Sequence, residues 1–201
     1  MRGFACLICS LLFPLSALLP AQDKPAEKPT MVTPMAPTSG PRFEFLDEVS
    51  YYEQRFERLA EAIPPEKYSW RPVEGVRTIG DVYMHVVSSN YNVARMLGTP
   101  FPAGVDPKAM MAYANDKAKV MQALKDSFAQ IRAAILAVKD SDLNKEIKTP
   151  RGPTTILGAF FMVSGQYGEH LGQSIVYSRL VGVVPPWTEE RQRQETEKPK
   201  P

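Results

Sequence analysis

The sequence predicts an all-α protein, a bundle of four long helices, and three observations support this prediction. Four long stretches place apolar side chains at intervals of three and four, the spacing of one face of an α-helix. Proline and glycine residues separate these stretches, at positions where helices are expected to end. No stretch alternates apolar and polar residues for long enough to indicate a sheet. Amphipathic helices joined by short and medium links are typical of a four-helix bundle.

The two ends of the chain are predicted to lie outside this bundle. Residues 1–21 have a positive start, an apolar core and a small final residue, Ala21, which is the pattern of a cleaved secretory signal peptide. The protein is therefore expected in the periplasm or outside the cell. Residues 22–41, rich in proline, lysine and threonine, are predicted to be a disordered linker, and the polar residues 188–201 a disordered tail. The folded domain is predicted at residues 42–187.

Composition excludes several kinds of site. Cys6 and Cys9 are the two cysteines of the chain, and both fall in the predicted signal peptide. The mature chain is therefore expected to lack disulfides, thiolate catalysis and cysteine metal ligands. The chain has 24 Lys and Arg and 22 Asp and Glu, a balance that gives no electrostatic reason to bind nucleic acid or an acidic membrane. We expect an unidentified small molecule as partner, and no stable membrane insertion after signal cleavage.

The first helix is predicted at residues 43–63 and is followed by the helix-stopping pair Pro64-Pro65. The connection at residues 68–72 contains two aromatic residues and a proline, so it is expected to be ordered and packed on the bundle. The apolar positions of this helix are Phe45, Leu46, Val49, Tyr52, Phe56, Leu59 and Ile63.

The second helix is predicted to begin at Thr78 and to run to Leu97, where a Gly-Thr-Pro sequence follows. Thr78 and Asp81 match a capping box, in which each side chain accepts a hydrogen bond from the backbone amide of the other residue. This helix carries His85 on a flank of small and polar residues.

The third helix is predicted at residues 115–138, and a polar loop is predicted at residues 140–153. The fourth helix is predicted to start at Thr154-Thr155 and to end at Gly182, because Pro185-Pro186 prevents its continuation. One flank of the fourth helix is polar and is bordered by predicted core residues, so it is predicted to form the wall of a binding site. The flank contains Gln166, Glu169, His170, Gln173 and Tyr177, and the predicted core residues are Phe161, Leu171, Ile175 and Leu180.

The chain has two histidines, His85 on the second helix and His170 on the fourth. Bundles build metal and cofactor sites from side chains on facing helices, so these two could meet in the interior. The alternative is that each is a buried side chain satisfied by one hydrogen bond. Spacing alone leaves both interpretations open.

Three segments, in their order and spacing, resemble the DinB-like and YfiT-like four-helix bundles. The segments are residues 68–72 after the first helix, residues 77–86 on the second, and residues 169–173 with 177–186 on the fourth. The resemblance covers nearly the whole predicted folded domain. It implies a DinB-like four-helix bundle.

The resemblance also implies a divalent metal such as nickel, zinc or manganese, held by one histidine of the second helix and a His-x-x-x-His pair on the fourth. His85 and His170 match the first and last of these ligands, whereas the position four residues before His170 is Gln166. An amide oxygen is a neutral and weaker donor than imidazole, and Glu169 is an alternative donor one turn away. Gln166 could equally hydrogen-bond His170 across an empty pocket. The predicted metal site is therefore His85, His170 and Gln166.

Two functions are open at this point. Characterised members that the chain resembles are metal-dependent thiol transferases, which implies a metal-dependent transferase or hydrolase with unassigned catalytic residues. The alternative is a non-catalytic binding or stress-associated module that keeps the fold without a functional metal. The incomplete ligand set and the predicted export to a thiol-poor compartment argue against thiol transfer. The resemblance further implies that two copies pair as a homodimer.

Overall fold

The structure is a computed structural model that describes residues 36–197. The predicted signal peptide and most of the predicted linker lie outside these residues. The described chain forms a bundle of four long helices, as predicted, together with a short hairpin and a fifth helix. The elements are α1 (Pro41–Ala62), α2 (Ile79–Met96), α3 (Lys117–Ala137), β1 (Glu146–Thr149), β2 (Gly152–Thr155), α4 (Ile156–Leu180) and α5 (Pro186–Glu197). Of the described helices, none has the length and apolar character needed to cross a membrane.

The capping box predicted at the start of α2 is confirmed. The backbone amide of Asp81 donates to Thr78 Oγ1 at 3.1 Å, and the amide of Thr78 donates to Asp81 Oδ2 at 3.0 Å. At the start of α4, Thr155 Oγ1 accepts from the amide of Gly158 at 3.0 Å. Such caps each stabilise a helix by about 1 kcal/mol, because they satisfy amides that have no partner within the helix.

Four aromatic side chains, one from each helix of the bundle, meet in the core. The ring centroid of Phe56 in α1 lies 6.4 Å from that of Tyr83 in α2, 6.2 Å from Phe128 in α3 and 6.2 Å from Tyr167 in α4. All four side chains are fully buried. Burial of large rings dominates core energetics, so Phe56 is the centre of the apolar contacts that hold the bundle together.

A buried polar network also connects three helices. The hydroxyl of Tyr167 in α4 donates to Asn90 Oδ1 in α2 at 2.6 Å, and Asn90 Nδ2 donates to Ser127 Oγ in α3 at 3.2 Å. Ser127 Oγ in turn donates to the carbonyl of Leu124 at 3.0 Å. Buried polar groups that are satisfied in this way fix how the helices align, because a shift would leave them without partners.

Residues 140–153, predicted as a polar loop without strands, instead contain the β1–β2 hairpin. Glu146 is paired with Thr155 and Thr149 with Gly152 in an antiparallel ladder. Gly152 has a φ of 111°, a conformation that favours glycine at the end of this tight turn. Strands of four residues are too short to show a recognisable alternation, which is why the sequence did not reveal them.

Residues 188–197, predicted as part of a disordered tail, instead belong to α5. This helix has almost no apolar residues beyond Trp187, so the periodicity that indicates a packed helix is missing. It is attached to α1 by an ion pair between Glu190 and Arg58 and by the guanidinium of Arg55, which lies 4.3 Å from the Trp187 ring centroid. Pro186 at its first position favours helix initiation.

The buried face of α4 is offset from the predicted one. Phe161 and Leu180, predicted as core residues, are 73% and 60% exposed. Phe160 is buried instead, and its ring is stacked on that of Phe45 at a centroid distance of 4.2 Å. Adjacent residues of a helix point about 100° apart, and Phe160, three turns before the buried Leu171, lies on the same face as that residue.

We expect Tyr167→Phe to lower the free energy of unfolding by about 1 to 3 kcal/mol, because it leaves the buried Asn90 Oδ1 without its donor. Urea denaturation monitored by circular dichroism measures this change. Tyr51→Phe is the matched control, since the Tyr51 side chain is half-exposed, and it should change stability by less than about 0.5 kcal/mol. Equal effects of the two substitutions would contradict a stabilising role for the network.

Candidate functional site

A cavity of about 720 Å³ lies between α2, α4 and the hairpin. His85 and Ser89 of α2 and Gln166 and His170 of α4 all line it. The structure thus brings the three residues of the predicted metal site to one place. Their assignment as metal ligands remains a prediction.

The two histidines are neighbours across the interface between α2 and α4. Their ring centroids are 4.7 Å apart, with an angle of 83° between the ring planes. Further along the same interface, Ser89 hydrogen-bonds Gln166 and Asn90 hydrogen-bonds Tyr167. Residue numbers rise along α2 as they fall along α4, so the two helices run antiparallel and their polar flanks face each other over several turns.

A chain of hydrogen bonds fixes the orientation of His170. Its Nδ1 lies 3.2 Å from the Oε1 of Gln173, an atom that can only accept, so Nδ1 carries the proton. The Nε2 of Gln173 donates to the hydroxyl of Tyr177 at 3.1 Å, which holds the amide in this orientation. In the neutral imidazole this tautomer leaves the lone pair of Nε2 free, which is the state that a metal ligand or a base requires.

His85 has a different environment. The Nδ1 of His85 lies 3.4 Å from a guanidinium nitrogen of Arg77, which can only donate, so Nδ1 is the unprotonated nitrogen. Burial, the positive charge of Arg77 and the neighbouring His170 together lower the pKa of His85 to about 4, while Glu169 opposes them. His85 is therefore neutral at physiological pH.

Gln166 is only partly satisfied. Its Oε1 accepts a hydrogen bond from the hydroxyl of Ser89, but its buried Nε2 has no partner in the described part of the chain. Buried polar atoms without a partner are rare in folded proteins, and at a cavity they suggest that a ligand supplies the missing contact. The sequence did not identify Ser89 as the residue that orients Gln166.

The described residues contain no group of three His, Cys, Asp or Glu side chains arranged to hold a metal ion. Glu169, considered as an alternative donor, lines the cavity but is exposed. Gln166, which lines the cavity beside both histidines, remains the predicted third ligand.

The cavity wall contains basic residues that the sequence did not predict to lie there. Arg77, Arg95, Lys148 and Arg151 all line the cavity, although they come from three separate segments of the chain. No local charge pattern marks them in the sequence. Only the packing of the hairpin against α2 and α4 brings them together.

The protein is a four-helix bundle with a candidate site between two of its helices. Sequence comparison identifies the family to which it belongs. The sequence profile of the DinB superfamily matches residues 50–174, more than half of the chain. The protein belongs to this superfamily. No curated protein matches it by sequence.

Solved structures of DinB-like proteins have the same fold. YjoA from Bacillus subtilis aligns with a TM-score of 0.55 and 16% identity, over 69% of this chain and 92% of its own. A DinB-like protein from Bacillus cereus aligns with a TM-score of 0.55 and 19% identity, over 71% and 93%. YfiT from B. subtilis, described as a probable metal-dependent hydrolase with an unusual four-helix bundle topology, aligns with a TM-score of 0.56 and 16% identity, over 71% and 88%. At these identities the likeness shows the fold alone.

We expect His85 to remain uncharged down to about pH 4, whereas an unperturbed histidine titrates near pH 6.5. Between these two pH values the unfolded chain binds the extra proton and the folded chain does not. This histidine therefore makes a contribution to stability that is present above about pH 6.5 and is lost as the pH falls towards 4. The two histidine ring signals in carbon-proton NMR spectra measure the titration directly.

The Arg77→Gln variant should raise the pKa of His85, because it removes a positive charge from beside the ring. Arg71→Gln is the matched control, since Arg71 lies in the same connection and does not line the cavity. A wild-type His85 that titrates near pH 6.5 would contradict this account of the site.

Proposed function

We propose that the cavity between α2 and α4 is an active site that binds one divalent metal ion, and that the protein is a metal-dependent hydrolase or transferase. The ligands would be His85, His170 and Gln166. The observation that carries the proposal is the pair of histidine rings, with centroids 4.7 Å apart, beside a buried amide that has an unpartnered atom. The description of the structurally similar YfiT as a probable metal-dependent hydrolase adds support.

The donor set fits a weakly held ion. Imidazole nitrogen is a good ligand for zinc and nickel, and two such groups come from facing helices. The present orientation of the Gln166 amide directs its oxygen to Ser89. A half-turn of the amide exchanges its two atoms, so that nitrogen donates to Ser89 and oxygen takes the position that lacks a partner. The third ligand thus becomes available without movement of either helix.

The surroundings of His85 favour the neutral imidazole that metal binding requires. Gln173 holds the proton of His170 on Nδ1 and leaves Nε2 free. Burial and the charge of Arg77 both keep His85 neutral. The unprotonated Nδ1 of His85 accepts from Arg77, so metal binding would have to displace this contact and place a second cation near the guanidinium. Affinity should therefore be lower than for a site with three histidines and no adjacent guanidinium.

A divalent ion at this position would supply Lewis-acid catalysis, which polarises a carbonyl or phosphoryl group and activates a nucleophile. Glu169 is the one carboxylate among the described residues that line the cavity, and it lies close enough to influence His85. We assign it the role of proton acceptor. Its exposure allows it to exchange that proton with solvent.

A non-catalytic binding module is the second candidate, and the state of Gln166 favours it. Where the resemblance implies a third histidine, this chain has an amide whose oxygen is already engaged by Ser89. In this case the cavity binds its ligand without chemistry. Metal content separates the two candidates.

We expect the wild-type protein to take up about one equivalent of zinc or nickel, and His85→Ala and His170→Ala to abolish this uptake. Gln166→His should raise affinity by about tenfold or more, because an imidazole replaces a weak amide donor. Elemental analysis after dialysis and calorimetric titration measure these effects.

Gln54→His is the matched control, since it adds a histidine at an exposed position of α1 outside the cavity. It should leave affinity unchanged. Less than about a tenth of an equivalent of metal in the wild type would reject the proposed metal chemistry. The non-catalytic binding module would then be the remaining candidate function.

We also infer that the protein is exported, from the signal-peptide pattern of residues 1–21, which lie outside the described residues. Mass spectrometry of the protein from its native cells should show a chain that begins close after Ala21. Recovery of the intact chain from Met1 would contradict export by cleavage.

A further inference from the structure

The cavity beside the two histidines has a basic wall. Of the charged side chains that line it, Arg77, Arg95, Lys148 and Arg151 are cations, and Glu169 is the one carboxylate among the described residues. The chain as a whole is nearly balanced, with 24 Lys and Arg and 22 Asp and Glu. The excess of positive charge is thus a local property of this cavity.

Three of the four cations come from elements that meet at one end of the cavity. Arg95 is in the last turn of α2, Lys148 is in β1 and Arg151 is in the hairpin turn. Since α2 and α4 run antiparallel, the end of α2 lies near the start of α4, and the hairpin that leads into α4 packs against both helices. We call Arg95, Lys148 and Arg151 the basic cluster.

The carboxylates of residues 36–197 do not neutralise the basic cluster. Within the described residues, none of its three side chains forms an ion pair with a carboxylate. The guanidinium of Arg95 lies 5.2 Å from the ring centroid of Phe101, a contact that holds the side chain without cancelling its charge. Unpaired cations along a cleft attract and concentrate anions.

We propose that the basic cluster binds the carboxylate or phosphate group of a small organic anion whose other end reaches the histidines. Guanidinium groups pair with both kinds of anion through two parallel hydrogen bonds. This inference rests on the proposed function, because it names the substrate class of the same site.

The size of the cavity supports an organic ligand rather than a free inorganic ion. Ten residues of α2 separate Arg95 from His85, which corresponds to about 15 Å along the helix axis. The volume of about 720 Å³ is in the range of pockets that enclose small molecules, roughly 300 to 1,000 Å³. Between the two ends, Ser88, Asn92 and Gln166 line the cavity with neutral polar side chains.

The test uses three probes of similar shape: phenyl phosphate, phenylacetate and the uncharged 2-phenylethanol. Calorimetric titration at low and high salt compares the wild type with the triple variant Arg95→Gln, Lys148→Gln and Arg151→Gln. The matched control carries Lys108→Gln, Arg191→Gln and Arg193→Gln, which remove the same charge from exposed positions outside the cavity. Thermal unfolding confirms that both variants are folded, and metal content is measured on each protein.

We expect at least one anion to bind the wild type and the control, and its affinity to fall by about tenfold or more in the triple variant and to weaken with salt. Binding of phenyl phosphate alone identifies a phosphate ligand, and binding of phenylacetate alone a carboxylate. The uncharged probe should not distinguish the three proteins.

No binding of either anion, or equal binding to the two variants, would overturn the inference. If the protein takes up metal but no anion, this inference fails and the proposed function stands. If anion binding depends on the basic cluster in a protein that takes up no metal, the anion site is supported and the proposed metal chemistry is rejected.

Discussion

The hydrogen bond between Tyr167 and Asn90 sets the alignment on which the rest of the site depends. It lies in the fully buried centre of the bundle, and Asn90 continues it to Ser127 in α3. A slide of α4 by one helical turn, about 5.4 Å, would break this bond and separate His170 from His85. Apolar packing alone tolerates several helix alignments, whereas a satisfied buried amide and hydroxyl select one. The core therefore determines the geometry of a site that lies outside it.

The cavity joins two environments that differ in charge. Around the histidines, Gln173 and Arg77 hydrogen-bond the two rings, and Arg77 and Glu169 supply one charge of each sign. Towards the hairpin the wall is cationic and open to solvent. This separation suits a ligand whose charged end binds the cationic wall and whose other end lies beside the histidines. In such an arrangement the tightest contacts need not involve the atoms that react.

The sequence predicted the bundle and the capping box of α2, because helical periodicity and capping are local signals. The meeting of His85 with His170 was implied by the resemblance to DinB-like bundles, since spacing alone left it open. It could not reveal Ser89 as the partner of Gln166, or the basic cluster, since those relations join residues that are far apart in the chain. It also could not predict α5, whose attachment to α1 depends on Trp187 and charged side chains rather than on an apolar face. Features produced by tertiary contacts between polar residues leave little pattern in a single sequence.

The hairpin forms one wall of the cavity while contributing little to the core of the bundle. Its turn is closed locally, by the hydroxyl of Thr149, which donates to the carbonyl of Gly152 at 2.8 Å and accepts from the amide of Arg151. Changes at Pro150 and Arg151 therefore alter the cavity without disturbing the packing of the helices. In evolutionary terms, the shape and charge of this cavity wall can diverge at almost no cost in folding, while the helices that carry the histidines stay constrained.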